Sequence, residues 1–356
     1  MTTTAAQIPA GIRWALAGYG AGGRTFHTPL ILSADGLELV AVVTGSAERR
    51  ALVRDEVPGA ATVGELSELP ALGVTGVTIT TPTATHAELA HRALDLGLHV
   101  VVDKPFALTA AAARDLVDHA ARAGLVITPY QNRRWDSDFL TIRRLIADGS
   151  LGTVHRFTSR IDRFRPVKGS WHGGAVAQGG GTLLDLGPHL VDQALHLFGP
   201  AELVHAELAT VRAGAGAEDD IELHLRHAGG VRSTLAAGTA SAAPGPRFQV
   251  NGSIAGYLIN GFDVQEVQLK NGGSPATLGP GWGVEPESAW GRLFDGEHDL
   301  VVPSERGRWD TFYPAVARAV AGDGAPPVDA RDAVATARVL DAARESSATG
   351  TVVRLG

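Results

Sequence analysis

The chain predicts an α/β protein of two domains. A doubly wound parallel sheet is expected over residues 1–130, followed over 131–356 by an α/β domain with a large, mostly antiparallel open sheet. Three observations carry this reading. Short apolar, β-branched runs alternate with helix-period stretches as far as Tyr130. A glycine-rich turn, Gly18-Tyr19-Gly20-Ala21-Gly22-Gly23, joins the first run to the first helix. Beyond Arg134 the runs lengthen, alternate apolar with polar residues, and meet at hairpin-like turns such as His227-Ala228-Gly229-Gly230. A length of 356 residues suffices for two cores.

Taken in order, the first domain reads as strands over 12–17, 38–43, 76–80, 98–102 and 125–130. Helices are expected between them, over 22–33, 47–57, 85–96 and 109–123. Thr85 and Thr109 stand where N-caps belong, and Gly97 and Gly124 where those helices stop. The second domain starts with a helix over 137–147 and a strand over 154–163, then a loop rich in Arg, Gly and Trp and a helical stretch over 185–198. Alternating strands follow over 201–212, 220–226, 231–237 and 248–259. Residues 271–308, rich in Gly and Pro, read as loop. Helices over 312–321 and 330–346, the latter capped by Asp329, and a strand over 351–354 close the chain. The open sheet face is expected to carry Val204, Ala206, Leu208, Leu223, Leu225 and Leu235, too apolar to stay wet. Pairing with a second copy covers such a face, so a homodimer or homotetramer is expected.

The net charge of −7, without any basic cluster interleaved with aromatics, gives no electrostatic case for nucleic acid. Cysteine is absent, which excludes disulfides, thiolate nucleophiles and Cys-ligated zinc. The N-terminus lacks the charged and apolar regions of a signal peptide, and no apolar run approaches the ~20 residues of a membrane span. A cytoplasmic protein is the expectation.

Gly18, Gly20 and Gly23 give GxGxxG between a strand and a helix, the context the motif requires. The first glycine permits the tight turn, the second lets the backbone approach a pyrophosphate, and the third lets helix and strand pack closely. This is the signature of a Rossmann dinucleotide site. Cofactor choice turns on the end of the second strand, where Thr44-Gly45-Ser46 offers no carboxylate to a ribose 2′-hydroxyl. Ser46 instead suits a 2′-phosphate, with Arg49 or Arg50 one turn on to supply charge, so NADP is favoured over NAD. Thr80, Pro82 and His86 at and after the strand 76–80, and Asp103 after the strand 98–102, lie on the same sheet edge and are further cofactor candidates.

Lysine occurs only three times among 31 basic residues, and one of them, Lys104, ends the apolar run 100–102. A lysine kept where the chain otherwise uses arginine points to a compact ammonium with chemistry to do. The second dense motif is Gly179-Gly180-Gly181-Thr182-Leu183-Leu184-Asp185-Leu186-Gly187-Pro188-His189. Asp185 and His189, four apart, share one helix face, which Asp192 and His196 continue, although Pro188 must start or kink the helix. No further ligand cluster accompanies them, and a metal is not expected. Lys104, Asp185 and His189 are the types needed to oxidise an alcohol. Histidine takes the hydroxyl proton, the carboxylate fixes its tautomer or binds a neighbouring hydroxyl, and the lysine steadies the developing alkoxide.

A GxGxxG loop, a strand ending in Asp-Lys-Pro and an Asp-x-x-x-His helix start resemble the Gfo/Idh/MocA oxidoreductase family over nearly the whole chain. The likeness sharpens in 20–31, 132–139, 163–166 and 185–198, toward the branch containing NADP-dependent scyllo-inositol dehydrogenases. It implies that Lys104, Asp185 and His189 are catalytic, that the substrate is an inositol or sugar-like polyol, and that copies pair through the C-terminal sheet. Asn132, Arg133, Arg134, Trp135, Arg163, Arg165 and Trp171 supply the donors and flat surfaces such a substrate needs, and the arginines also suit a carboxylate or phosphate. Two alternatives share the fold: a cofactor-bound sensor without turnover, and redox-neutral glycoside cleavage with recycled NAD.

Overall fold

The computed structural model describes residues 11–165, 175 and 178–356. The first sheet holds β1 (Ile12–Ala17), β2 (Leu37–Val43), β3 (Ala61–Val63), β4 (Gly76–Ile79), β5 (His99–Val102) and β6 (Ile127–Pro129). Its order is β3-β2-β1-β4-β5-β6 and every pairing is parallel. The order reverses between β1 and β4, and the crevice at their C-terminal ends is where such sheets bind ligands. The crossovers are a π-helical turn over Gly22–His27 running into α1 (Thr28–Leu32), then α2 (Ala47–Glu56), α3 (His86–Asp95) and α4 (Ala110–Ala123). Thr109 caps α4 by accepting from Ala112 N, as expected. Thr85 precedes α3 without capping it, because its hydroxyl donates to the Pro82 carbonyl.

The second half starts with α5 (Ser137–Ala147) and β7 (Arg156–Asp162), then α6 (Thr182–Asp185) and α7 (Gly187–Phe198). The rest is β8 (Ala201–Ala209), β9 (Asp220–His227), β10 (Arg232–Gly238), β11 (Phe248–Asn251), β12 (Gly256–Ile259), α8 (Val264–Lys270), α9 (Pro275–Leu278), β13 (Gly291–Phe294), β14 (Asp299–Val302), α10 (Phe312–Val320), α11 (Ala330–Thr349) and β15 (Val353–Arg354). The sheet order is β14-β13-β12-β11-β7-β10-β9-β8-β15, antiparallel except where β7 lies parallel to β10. Two expectations need correction. The run 248–259 is a hairpin of two strands, turned at Gly252, whose N–H bonds the Ala255 carbonyl. The supposed loop 271–308 contributes β13 and the edge strand β14, a pairing too short for its composition to announce.

The reason given for self-association also fails. Val204, Ala206, Leu223, Leu225 and Leu235 are at most 2% exposed, because their alternate positions face α5, α7 and α11 of the same chain. Glu202, Glu222, His224, Arg226, Arg156 and Gln249 occupy the open face instead.

The last helices serve both halves. Val339, Leu340 and Ala343 of α11 join the core under the large sheet, whereas Ala333 and Ala337 pack with Ala113 and Leu116 of α4. Asp341 accepts from Ala110 N at the start of α4 (2.8 Å). Trp309, Phe312, Tyr313 and Val316 pack beneath the first sheet with Trp14, Leu16 and Val42. Truncating one of these buried aromatics to Ala costs about 3–5 kcal/mol.

Candidate active site

The turn after β1 is built around two constrained glycines. Gly18 has φ +97°, which side chains disfavour, and its carbonyl accepts the Thr80 hydroxyl at 2.9 Å. A Cβ on Gly23 would run into the Gly18 carbonyl oxygen and stand 2.7 Å from Thr80 Oγ1. Gly20 differs: only the Arg49 guanidinium comes near where its Cβ would be, at 3.9 Å. The loop is therefore closed toward the protein and open outward, as a pyrophosphate requires, with the helix opening at Gly22 beside it. These residues fit a dinucleotide.

At the end of β2, Ser46 is the N-cap of α2, accepting from Arg49 N at 3.3 Å. Its hydroxyl proton stays available to a ligand. Thr44 is buried, its hydroxyl accepting from Ser46 N. Arg50 donates to the Thr44 carbonyl (3.0 Å), whereas the exposed Arg49 side chain makes no ion pair or hydrogen bond with any described residue. The Thr80–His86 segment is committed to the protein. Thr81 and Thr85 bond each other, Pro82 opens the turn over 83–85, and buried His86 faces the carbonyls of Pro105 (2.9 Å) and Thr81 (2.8 Å). His86 thus clips two loops together.

Lys104 leaves the end of β5 and reaches across to α6. Its Nζ donates to Asp185 Oδ1 at 2.8 Å and to the Asp185 carbonyl at 2.9 Å. An ammonium has three N–H bonds, so one remains for a substrate oxygen. Glu218 positions α6, its carbonyl accepting from Thr182 N (2.8 Å) and its carboxylate from Leu183 N (3.1 Å). The helix breaks at Leu186 and restarts at Gly187, which places Pro188 in a first turn that needs no N–H from it. His189 follows, 5% exposed, with Nδ1 unpartnered among the described residues. Burial, then the charges of Lys104 and Arg133, hold the His189 imidazole well below the usual histidine range, against the pull of Asp185. It is a neutral base at physiological pH. Asp192 and His196, on the same stripe, lie outside this set: Asp192 receives two bonds from Arg134 (2.8 and 2.6 Å).

Asp103 joins the two parts of the site. It accepts from Lys104 N at 2.7 Å, and its Oδ2 lies 3.4 Å from where a Gly22 Cβ would sit. Burial pushes this carboxyl up, but His27 and Lys104 outweigh burial and hold it below the ordinary value. His27 Nε2 is 3.6 Å from Asp103, and its Nδ1 meets Tyr313 Oη at 2.6 Å. Tyr313 continues to Thr78 Oγ1 (3.1 Å), which accepts from Trp14 Nε1 (2.8 Å).

On the substrate side, Arg133 donates to Asp136 (3.0 Å) and Glu266 (2.8 Å), with Nε unpartnered. Asn132 is buried beside it at the start of the turn Asn132–Trp135. Arg134 is fully engaged with Asp192 and Asp332, and Trp135 packs edge-on against Phe312, so both hold the fold. Arg163 and Arg165 follow β7, their side chains without ion pairs among the described residues. Trp171 lies outside the described residues. The sequence reading missed His27, Gln193, Glu218, Arg247 and Tyr313. Its one available signal was a histidine placed among the apolar residues that open the first helix.

A parallel sheet with this glycine cradle, and a lysine, carboxylate and histidine at its edge, defines an NAD(P)-dependent oxidoreductase acting on CH–OH groups. Residues 12–131 match the oxidoreductase family with NAD-binding Rossmann fold, and residues 139–257 match the GFO/IDH/MocA C-terminal domain. The chain belongs to the Gfo/Idh/MocA family. It is 39% identical to the uncharacterized oxidoreductase YdgJ of Escherichia coli (strain K12), over 94% of this chain and 96% of that one. Identity to the scyllo-inositol 2-dehydrogenase (NADP(+)) IolW of Bacillus subtilis (strain 168) is 34%, over 94% of each. The solved structure of yvaA from Bacillus subtilis superposes with a TM-score of 0.90 at 32% identity, covering 97% of this chain and 98% of that one.

Proposed function

We propose that this enzyme oxidises a secondary alcohol of an inositol or sugar-like polyol with NADP, NAD being the alternative. The carrying observation is Lys104 bonded to Asp185 at 2.8 Å next to buried His189, whose Nδ1 lacks a partner among the described residues. A nicotinamide cofactor held by the Gly18–Gly23 loop would supply the hydride acceptor. Lys104 holds the reacting oxygen with its third N–H and stabilises the negative charge that develops there. Neutral His189 takes the hydroxyl proton, and Asp185 fixes the ammonium through its two bonds to Nζ. Reduction of a ketone runs the same groups backwards. The NADP-dependent relative supports both substrate class and cofactor. Free Arg49 over Gly20, the available Ser46 hydroxyl and the missing carboxylate after β2 support NADP further. A panel of inositols, aldoses and sugar acids, each offered with NAD and NADP and followed by reduced-nicotinamide absorbance, tests the reading. No reduction with any of them overturns it.

No helix among the described residues is long and apolar enough to cross a membrane, and we read the enzyme as cytoplasmic. Self-association through the open sheet remains our reading from the family resemblance. Its face is polar around a groove containing Leu203, His205, His224, Thr234 and exposed Val352. Light scattering that returns the 37.0 kDa of one chain at micromolar concentration refutes it.

A further inference from the structure

We propose that the pocket selects a polyol carrying an anionic group, carboxylate or phosphate, which the Arg163 guanidinium binds. This rests on the dehydrogenase reading and narrows its substrate.

Along β7 the inward residues are Phe157, Ser159 and Ile161, so the alternation turns Arg163, just past the strand, toward the helices and the site. Its backbone is fixed by a bond to the Gly238 carbonyl at 2.8 Å. The guanidinium lies 5.9 Å from the ring centre of Phe262, in the field of Asp185, Glu266 and Arg133. It makes neither hydrogen bond nor ion pair with any described residue. No described residue bonds this fork.

The other charges around it are already paired with one another: Lys104 with Asp185, Arg133 with Asp136 and Glu266, and Arg247 with Asp138. Arg247, 2% exposed, lies on the far side of Phe262 (5.8 Å) and stacks on Phe248 (3.9 Å). It donates to Ser159 Oγ (2.6 Å) and Gln193 Oε1 (3.0 Å), and its Nε pairs with Asp138 Oδ2 at 3.8 Å without a hydrogen bond. Gln193, one turn beyond His189 on α7, also donates to the Arg133 carbonyl (2.9 Å), so the helix carrying the base fixes both arginines. The nearby carboxylates are already engaged: Asp185 by Lys104, Asp136 by Arg133 and Trp309, and Glu266 by Arg133 and Lys270. Burial pushes the Asp136 and Asp138 carboxyls up. A neutral polyol satisfies hydrogen-bond donors but leaves a guanidinium uncompensated. An anion does both, and the planar fork takes carboxylate or phosphate through two parallel bonds.

The test is calorimetric titration of the chain saturated with reduced cofactor, which prevents alcohol turnover. D-glucose, D-glucuronate and D-glucose 6-phosphate are compared. We expect one of the anions to bind about 10- to 100-fold more tightly than glucose. Preference for glucuronate assigns a carboxylate, and preference for the ester a phosphate. Arg163→Gln removes the preference, while Arg163→Lys restores part of it. Equal affinities for all three, or a preference that survives Arg163→Gln, overturns the proposal. A companion turnover assay separates the two readings. Selective anion binding without nicotinamide reduction overturns the dehydrogenase and leaves the anion site. Equal oxidation of glucose and glucuronate keeps the dehydrogenase and removes the anion selectivity.

Discussion

The cofactor side and the substrate side of this site are made in different ways. On the proposed cofactor side the fold offers backbone: Gly18 and Gly23 are locked by sterics, and Thr80, Thr81, Thr85 and His86 turn their polar atoms inward to hold loops. On the proposed substrate side the fold offers side chains, with Lys104, His189 and Arg163 each presenting a donor or acceptor that no described residue engages. A pyrophosphate is the same for every dinucleotide and can be cradled by peptide groups. A polyol differs from enzyme to enzyme, and exchangeable side chains are how one fold accommodates that.

The contrast is sharpest at the chemistry itself. Lys104→Arg and His189→Ala are each expected to lower kcat by about 10²-fold or more while cofactor titrations stay near wild type, since proton transfer supplies roughly that factor. Asp185→Asn should be similarly harmful by releasing the ammonium. Normal turnover in any of these removes that residue from the mechanism.

Gly23→Ala attacks the other side. The added methyl collides with backbone, which cannot swing away, so cofactor affinity should fall about 10-fold or more by fluorescence titration. A variant that binds normally means the loop is less rigid than its geometry. Ser46→Asp tests the one place on the cofactor side where side chains select. NADP binding should weaken about 10-fold while NAD holds or gains, through repulsion of a 2′-phosphate. If NAD binds wild type more tightly and Ser46→Asp changes nothing, NADP is the wrong assignment.

The pH profile addresses the base alone. His189 is held well below 6.5 by burial and neighbouring cations, and only its neutral form accepts a proton. The acid limb of kcat/KM therefore lies below pH 6.5, activity being present above that limb and lost as pH falls through it. A limb at or above 6.5 assigns the base elsewhere. The smallest effect concerns Tyr313→Phe, which removes the hydroxyl shared by His27 and Thr78. It should cost about 1–3 kcal/mol of stability, read as the denaturant midpoint.

How much of this was legible in the sequence follows the same division. β1 falls on the residues expected, and α5 and the glycine loop do likewise, because buried periodicity and turn chemistry are local signals. Lys104, Asp185 and His189 were legible as residue types, and the structure joins Lys104 to Asp185 directly. The fate of the arginines was not. Arg134 is taken by Asp192, 58 positions on, whereas Arg163 is left alone, and nothing within either segment distinguishes them. His27 and Tyr313 stand 286 positions apart and meet only because α10 folds back beneath the first sheet. The inward turn of Val204 and Leu223 was missed for a related reason. Alternation says that two faces differ, not which of them a later helix will cover.

That returning helix has a consequence for how such enzymes are recombined. Trp309, Phe312 and Tyr313 shield one side of the nucleotide-binding sheet, and Ala333 and Ala337 shield α4, although all lie near the end of the chain. A chimera spliced at residue 130 inherits a sheet tailored to another parent's lid. Grafts that carry residues 309–337 along with the first 130 keep matching partners together, so the transplantable unit is discontinuous, head and tail of the polypeptide travelling as one.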